Sequence, residues 1–275
     1  MESYSVLMSV YHKADPAFFR TALESLVNQT VLSNDIVIVC DGPLTPQLDE
    51  VLDNYQQQYP DIFRIVRLEQ NVGIGAAANE GLKHCKNDLV AKMDADDIAV
   101  PQRCEWQLNR FAQCPELTVL GGYIAEFDQD PDQPTTLREV PLTNDTIRTF
   151  ARRRQPFNNQ TVMYRRSAVL KVGGYNKMRR SEDFDLYTRL LCANYYCENL
   201  SEVLVQVRVD QGALNRRASL DTLKGCMDSR WRSYKMGYAS LLDVAVCVGG
   251  ELFITLCPTA LQRWIYRRFL RKSTK

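Results

Sequence analysis

An α/β fold, built on a mostly parallel, Rossmann-like sheet flanked by helices and followed by a C-terminal helical extension, is what this sequence predicts. Three observations carry the prediction. Through the first hundred residues, short apolar β-branched runs alternate with longer stretches of helical spacing. That is the pattern of parallel strands joined by crossover helices. Acidic residues appear where strands should end, at Asp41 and from Asp94 to Asp97. After Ala239, a long apolar stretch runs into a basic, aromatic tail.

In chain order, Ser5 to Tyr11 reads as the first strand and Pro16 to Asn28 as a helix with Phe19, Leu23, Leu26 and Val27 on one side. Asp35 to Cys40 is the second strand, Pro46 to Gln58 a polar helix, and Ile62 to Leu68 the third strand. A Gly/Ala-rich helix at Gly75 to Cys85 leads to a fourth strand at Leu89 to Met93, with acids immediately beyond it. Open parallel sheets bind ligands at the carboxyl ends of their strands, where loops and helix N-termini converge. Asp41-Gly42 and Asp94 to Asp97 fall at such ends. Asp128 to Pro134 is an exposed loop by composition, and regular alternation is lost after it. A mixed sheet is expected in the second half. The chain thus divides into 1–100 and 101–238, two halves of one domain, and an extension over 239–275.

With 275 residues, 45% of them hydrophobic and 24% charged, the chain is large enough for a substantial core. A net charge of +1 provides no global field for nucleic acid, so that partner class is set aside. The N-terminus lacks the basic flank, apolar run and cleavage site of a signal peptide, which predicts a cytoplasmic protein. Nine cysteines without a CxxC pair, and only two histidines, argue against a zinc cluster or disulfide framework and for reduced, mostly buried thiols.

The Ala239 to Cys257 stretch is interrupted by Asp243, Glu251 and Gly249-Gly250, which argues against a bilayer span. An interfacial helix is one reading. Arg263, Arg267, Arg268, Arg271 and Lys272, interleaved with Trp264, Tyr266 and Phe269, then suit an anionic membrane surface. A helix packed on the domain with a solvated basic end has the same periodicity, and both readings stand.

Asp94, Asp96 and Asp97 place three carboxylates within four residues, where they repel one another unless a cation or hydrogen-bond donors compensate. Oxygen ligands of this kind suit Mn²⁺ or Mg²⁺, which would also bind a diphosphate. Such acids also cap helices, and a helix is expected to begin near Pro101.

The cluster belongs to a longer pattern. It includes Val6 to Tyr11, Asp41-Gly42, Asn71-Val72-Gly73-Ile74-Gly75 through Gly81, Leu89 to Asp97 with Pro101, Arg103 and Gln107, Gly173-Gly174-Tyr175, and Glu182 to Leu190. In that order these segments resemble the inverting glycosyltransferases of family 2, which have the GT-A fold, and the resemblance runs from Ser5 to about Arg208. It implies a nucleotide-sugar-binding half at 1–100 and an acceptor-binding, catalytic half at 101–238. It also implies that Asp41 contacts the uracil or ribose of a UDP-sugar and that the strand end from Ser9 to Tyr11 frames the base. By the same resemblance Asp96 is the main protein ligand of the metal, Asp94 orients the ribose or a metal-bound water, and Asp97 does either job. Asp183, with Glu182 beside it, matches the general base that takes the proton from the acceptor hydroxyl on the opposite face of the sugar. Inversion then gives a β-linked product from an α-linked donor. The plainer reading of Glu182-Asp183 is the first turn of a helix capped by Ser181.

One departure stands out. Where many family members carry an aromatic-Arg-x-His segment, this chain has Val207-Arg208-Val209-Asp210. Asp210 offers an oxygen ligand in place of the histidine, or is a loop residue; Arg208 meets the diphosphate, or is a surface arginine. Arg152-Arg153-Arg154 and Arg179-Arg180 are either contacts for an acceptor pyrophosphate or solvated charge runs. The resemblance thus predicts transfer of a hexose or N-acetylhexosamine from a UDP-sugar to a saccharide on undecaprenyl pyrophosphate, at the inner face of the plasma membrane, as in O-antigen, lipopolysaccharide or capsule assembly. Two rivals are a silent sugar-nucleotide-binding or polysaccharide-binding subunit and a nucleotidyltransferase. The latter lacks its glycine-rich phosphate loop here.

Overall fold

The computed structural model of the chain describes residues 2–178, 180–209, 220–257 and 272–273. Its first half is a parallel sheet. Strand β1 (Tyr4–Val10) lies between β2 (Asp35–Cys40) and β4 (Leu89–Asp94), and β2 is flanked by β3 (Phe63–Arg67). Three crossover helices join them: α1 (Pro16–Val27), α2 (Pro46–Gln58) and α3 (Ile74–His84). The first two start where the chemistry requires. The Asp15 side chain accepts from the Ala17 and Phe18 amides and Thr45 from Leu48, and each cap is followed by a proline whose missing N–H costs nothing in a first turn.

Past Asp94 the sheet becomes mixed, as expected. A two-residue strand β5 (Ile98–Ala99) precedes α4 (Arg103–Gln113), β6 (Leu117–Phe127), β7 (Thr136–Arg138) and α5 (Asn144–Phe150). After a 3₁₀ turn at Asn159–Thr161, β8 (Met163–Arg165) pairs antiparallel with both β4 and β6. Helices α6 (Arg166–Lys171) and α7 (Glu182–Cys192) lead to β9 (Tyr196–Arg208), parallel to β6 and antiparallel to β5. Two helices follow, α8 (Leu220–Lys235) and α9 (Leu241–Leu256), and a short β10 (Lys272–Ser273) pairs with β7 at the sheet edge.

Both sheet faces are covered. Val6, Met8 and Val10 pack with Phe19, Leu23 and Leu48 on one side, while Leu7, Val37 and Val39 pack with Ala77, Leu82, Leu186 and Leu190 on the other. Helix α3 lies very close to the sheet. A Cβ at Gly81 would sit 2.3 Å from Leu7 Cδ1 and 2.7 Å from Val39 Cγ2.

Two expectations need correction. Ser181 stands at the N-cap position of α7 but makes no side-chain cap bond, because its backbone is left-handed at φ 63°. The acids at 94–97 do not cap α4, which begins at Arg103 with Gln102 before it. The nine cysteines are free thiols, with Cys40, Cys85, Cys104, Cys114 and Cys197 buried. Arg179, Asp210, Arg263, Arg267, Arg268 and Arg271 lie outside the described residues. No helix among the described residues is long and apolar enough to cross a membrane.

Candidate active site

The carboxyl ends of β1, β2 and β4 form the floor of the site. Register places Ser9 directly between Val39 and Asp94. The Ser9 hydroxyl oxygen is buried and has no hydrogen-bond partner among the described residues, a cost that a bound polar group would remove. Tyr11 projects beyond it, 44% exposed and edge-on to His12.

Asp41 is already engaged. Its Oδ1 accepts from the Val72 amide at 2.7 Å, and its Oδ2 accepts from the Gly73 amide at 3.1 Å and Asn71 Nδ2 at 3.0 Å. The residue offered to a nucleoside therefore braces the 71–73 turn that opens α3. Gly42 belongs to the same brace, with φ 85° and no room for a Cβ beside the Asn71 amide.

The acidic turn is divided by exposure. Asp96 faces solvent, Asp94 is half-buried, and Asp97 is buried, its Oδ1 accepting the Arg208 amide at 3.1 Å. The Arg208 guanidinium lies between the Phe18 and Phe127 rings, 3.9 and 4.7 Å from their centroids, and its Nε is buried without a partner among the described residues. Arg103 secures the turn from below. It is fully buried, donating to the Lys92 carbonyl at 2.6 Å and to Gln107, whose amide reaches the Leu120 and Thr161 carbonyls. The Arg103 and Gln107 positions thus serve as a clamp on the end of β4.

The opposite wall is the start of α7. Asp183 receives a 2.6 Å hydrogen bond from Gln155 Nε2 on Oδ2 and the Phe184 amide on Oδ1. Glu182 is buried against the start of α3, where a Cβ on Gly75 would lie 3.3 Å from Glu182 Cγ. The Gly173-Gly174-Tyr175 turn is pinned twice. Asn79 brackets the backbone of Tyr175, and Arg189, paired with buried Asp185 at 2.8 Å, donates to the Val172 and Gly174 carbonyls.

Burial pushes Asp94 up to about 6, with Asp96 and Asp183 adding repulsion and Lys92 and Arg103 opposing it. Burial, then repulsion from Asp183, lifts Glu182 to about 7. Asp183 also rises through burial, against the Phe184 and Gln155 hydrogen bonds, and Asp97 rises well above the usual range. Lys92 is the positive member of the set. It is almost completely buried beside the Tyr175 ring, and burial lowers its pKa while Asp94 and Glu182 raise it. Its signal in the sequence was a lysine inside the apolar run Leu89-Val90-Ala91-Lys92-Met93. Gln155 has no such signal, since only folding brings it to Asp183.

Among the described residues, no three His, Cys, Asp or Glu side chains are gathered into a self-sufficient metal cage. The donor set still fits a hard divalent ion, which takes one or two carboxylates and completes its shell with phosphate oxygens and water. Asp96 is exposed and half-buried Asp94 adjoins it, so the two carboxylates stand together at the open end of β4.

The sheet is flanked by helices and mostly parallel, with acids at the end of β4 and a second acidic pair at the start of α7. A family model, Glycosyl transferase family 2, matches residues 5–179, and the chain belongs to that family. The match stops just short of α7, so Glu182 and Asp183 stand outside it. An uncharacterized glycosyltransferase of Haemophilus influenzae is 40% identical over 98% of this chain and 99% of its own length. The UDP-Gal:alpha-D-GlcNAc-diphosphoundecaprenol beta-1,3-galactosyltransferase of Escherichia coli is 30% identical over 98% of this chain and 97% of its own. Among solved structures, the mannosyltransferase PcManGT of Pyrobaculum calidifontis, in complex with GDP-Man and Mn²⁺, superimposes with a TM-score of 0.67 at 14% identity, over 94% of this chain and 73% of that one. The fold is GT-A, and the protein is a glycosyltransferase.

Proposed function

We propose that this enzyme transfers a hexose or N-acetylhexosamine from a UDP-sugar to a lipid-linked saccharide, with inversion, during assembly of a surface polysaccharide such as O-antigen or capsule. The observation that supports this best is the meeting of Asp94, at the end of β4, with Asp183, at the start of α7, whose charge raises the Asp94 pKa. One carboxylate faces the donor's diphosphate and the other faces the acceptor. Asp183 takes the acceptor's hydroxyl proton while the new oxygen to anomeric-carbon bond forms. The bond to the diphosphate breaks, and UDP leaves with its electron pair. Gln155 and the Phe184 amide hold the carboxylate in orientation and leave each oxygen a lone pair for that proton.

Bound Mn²⁺ or Mg²⁺ would supply counter-charge to the leaving diphosphate, held by Asp96 and Asp94, with Asp97 and Asp210 as further oxygen donors. Arg208 presents its unpartnered Nε near the same end of the site. Ser9 and Tyr11 frame the base, and Asp41 keeps the 71–73 turn shaped around the nucleoside. The donor and lipid-linked acceptor in the Escherichia coli relative's name are of the chemical class proposed here.

The test is transfer from UDP-galactose, UDP-glucose and their N-acetyl forms to GlcNAc-diphosphoundecaprenol, with Mn²⁺ or excess EDTA, followed by NMR of the anomeric coupling. A β-linked product that EDTA suppresses is expected. An α-linked product would overturn the inverting assignment, and full activity in EDTA the metal assignment.

A further inference from the structure

Helix α9 is inside out. Its exposed positions are uncharged and largely aliphatic or aromatic, with Leu242 at 66%, Phe253 at 56% and Leu256 at 75% exposure, together with Leu241 and Val246. Its two acids point the other way. Asp243 is buried, closes a capping box with Ser240 and pairs with Arg153 at 2.6 Å, while Glu251 is half-buried within the field of Arg230. The acids that interrupt the apolar run in sequence are therefore what fastens the helix to the domain, and the apolar face is turned outward. At 16 residues it is about 24 Å long, too short to span a bilayer upright.

We propose that this face of α9 lies in the headgroup–acyl boundary of an anionic membrane. The surface deepens the functional reading by naming what brings the enzyme to a lipid-linked acceptor. Two observations favour lipid over a second copy of the chain, and a third ties the face to the site. The outward row Leu242, Val246, Gly249, Phe253, Leu256 has heptad spacing but lacks a knob at its centre. A helix pair in water would leave a hole there, whereas acyl chains fill it. Basic side chains flank the helix, with Lys224, Arg232 and Lys235 exposed on α8 against Asp221 and Asp228, and Arg152 exposed beside the Arg153 anchor; the sequence after Cys257 adds four arginines. Such a margin suits anionic headgroups. Finally, Arg153, which holds Asp243, is two residues from Gln155, which holds Asp183. The helix and the acceptor side of the site thus share one short segment.

The experiment uses the full chain with vesicles of phosphatidylglycerol and phosphatidylethanolamine, and with phosphatidylcholine alone. Co-sedimentation of wild type with the anionic vesicles is expected, and Leu242→Glu with Phe253→Glu should weaken it at least about tenfold. Calorimetric UDP binding should stay unchanged, since both side chains already face out. Vesicle binding equal to wild type in the double variant overturns the assignment, as does a wild type that ignores vesicles. A lipid-free dimer that the double variant converts to monomer, without vesicle binding, assigns the face to a second copy instead. Vesicle binding with no transfer from any UDP-sugar would leave this surface standing and sink the functional reading.

Discussion

Replacing Asp183 by Asn removes the proton acceptor while keeping the shape of the side chain. In the folded protein Oδ1 and Oδ2 each accept one hydrogen bond, from the Phe184 amide and Gln155. An Asn side chain satisfies one of these donors with its oxygen and turns its NH₂ towards the other. That mismatch costs about 1–3 kcal/mol of stability. It is offset by no longer burying a charge that its surroundings disfavour, so the variant should fold. The chemical step fares worse. Loss of a general base is worth roughly 10²–10⁴ in rate, or about 2.7–5.5 kcal/mol of activation free energy. Turnover at saturating donor and acceptor should fall by that factor, with calorimetric UDP-sugar affinity within a few-fold of wild type. Because burial raises the pKa of Asp183, the acidic limb of the wild-type kcat/KM profile should lie above the ordinary aspartate range. The Asn variant's residual rate should lose that limb. Near-normal turnover would move the base to Glu182, and lost donor binding would make Asp183 a donor-site residue.

Asp94 has a folded pKa raised to about 6, so between its ordinary value and 6 the native state binds more protons than the unfolded chain. Stability without divalent ions should therefore fall as pH rises through that window, and Asp94→Asn should flatten the slope; a melting temperature that climbs from pH 4 to 7 with no change in Asp94→Asn would refute it. Arg189→Met leaves buried Asp185 without its cation and two turn carbonyls without donors, a loss of about 3–5 kcal/mol and on the order of 10 °C in calorimetry. A shift of a degree or two would show the pair to be dispensable. Ser181 sits at φ 63°, so Ser181→Gly should be tolerated, whereas Ser181→Val should cost about 1–2 kcal/mol and slow turnover by displacing Asp183. Equal behaviour of the two variants would mean the left-handed turn is not needed.

The first hundred residues were legible because local chemistry and tertiary structure agree there. Strand β2 and helix α2 have the bounds read from the sequence, Asp35–Cys40 and Pro46–Gln58. What escaped the sequence depends on partners distant along the chain. Asp97 is set by an amide on β9, Asp183 by Gln155, and Asp41 by a turn thirty residues away. Ser181 has the composition of a cap, but its backbone is left-handed and its side chain makes no cap bond. The acids of α9 read as breaks in a stripe because periodicity locates a face without saying which way it points.

The bond from the Arg208 amide to Asp97 joins residues 111 positions apart, and β5 beside it pairs with β9. A nascent chain that has emitted every acid of the 94–97 turn still lacks the strand that braces it. Fragments ending before β9 should therefore acquire the parallel half of the sheet yet leave this turn loose, and adding the missing strand in trans should tighten it. Completion of the chain, more than its first folded half, sets when the acidic turn becomes rigid.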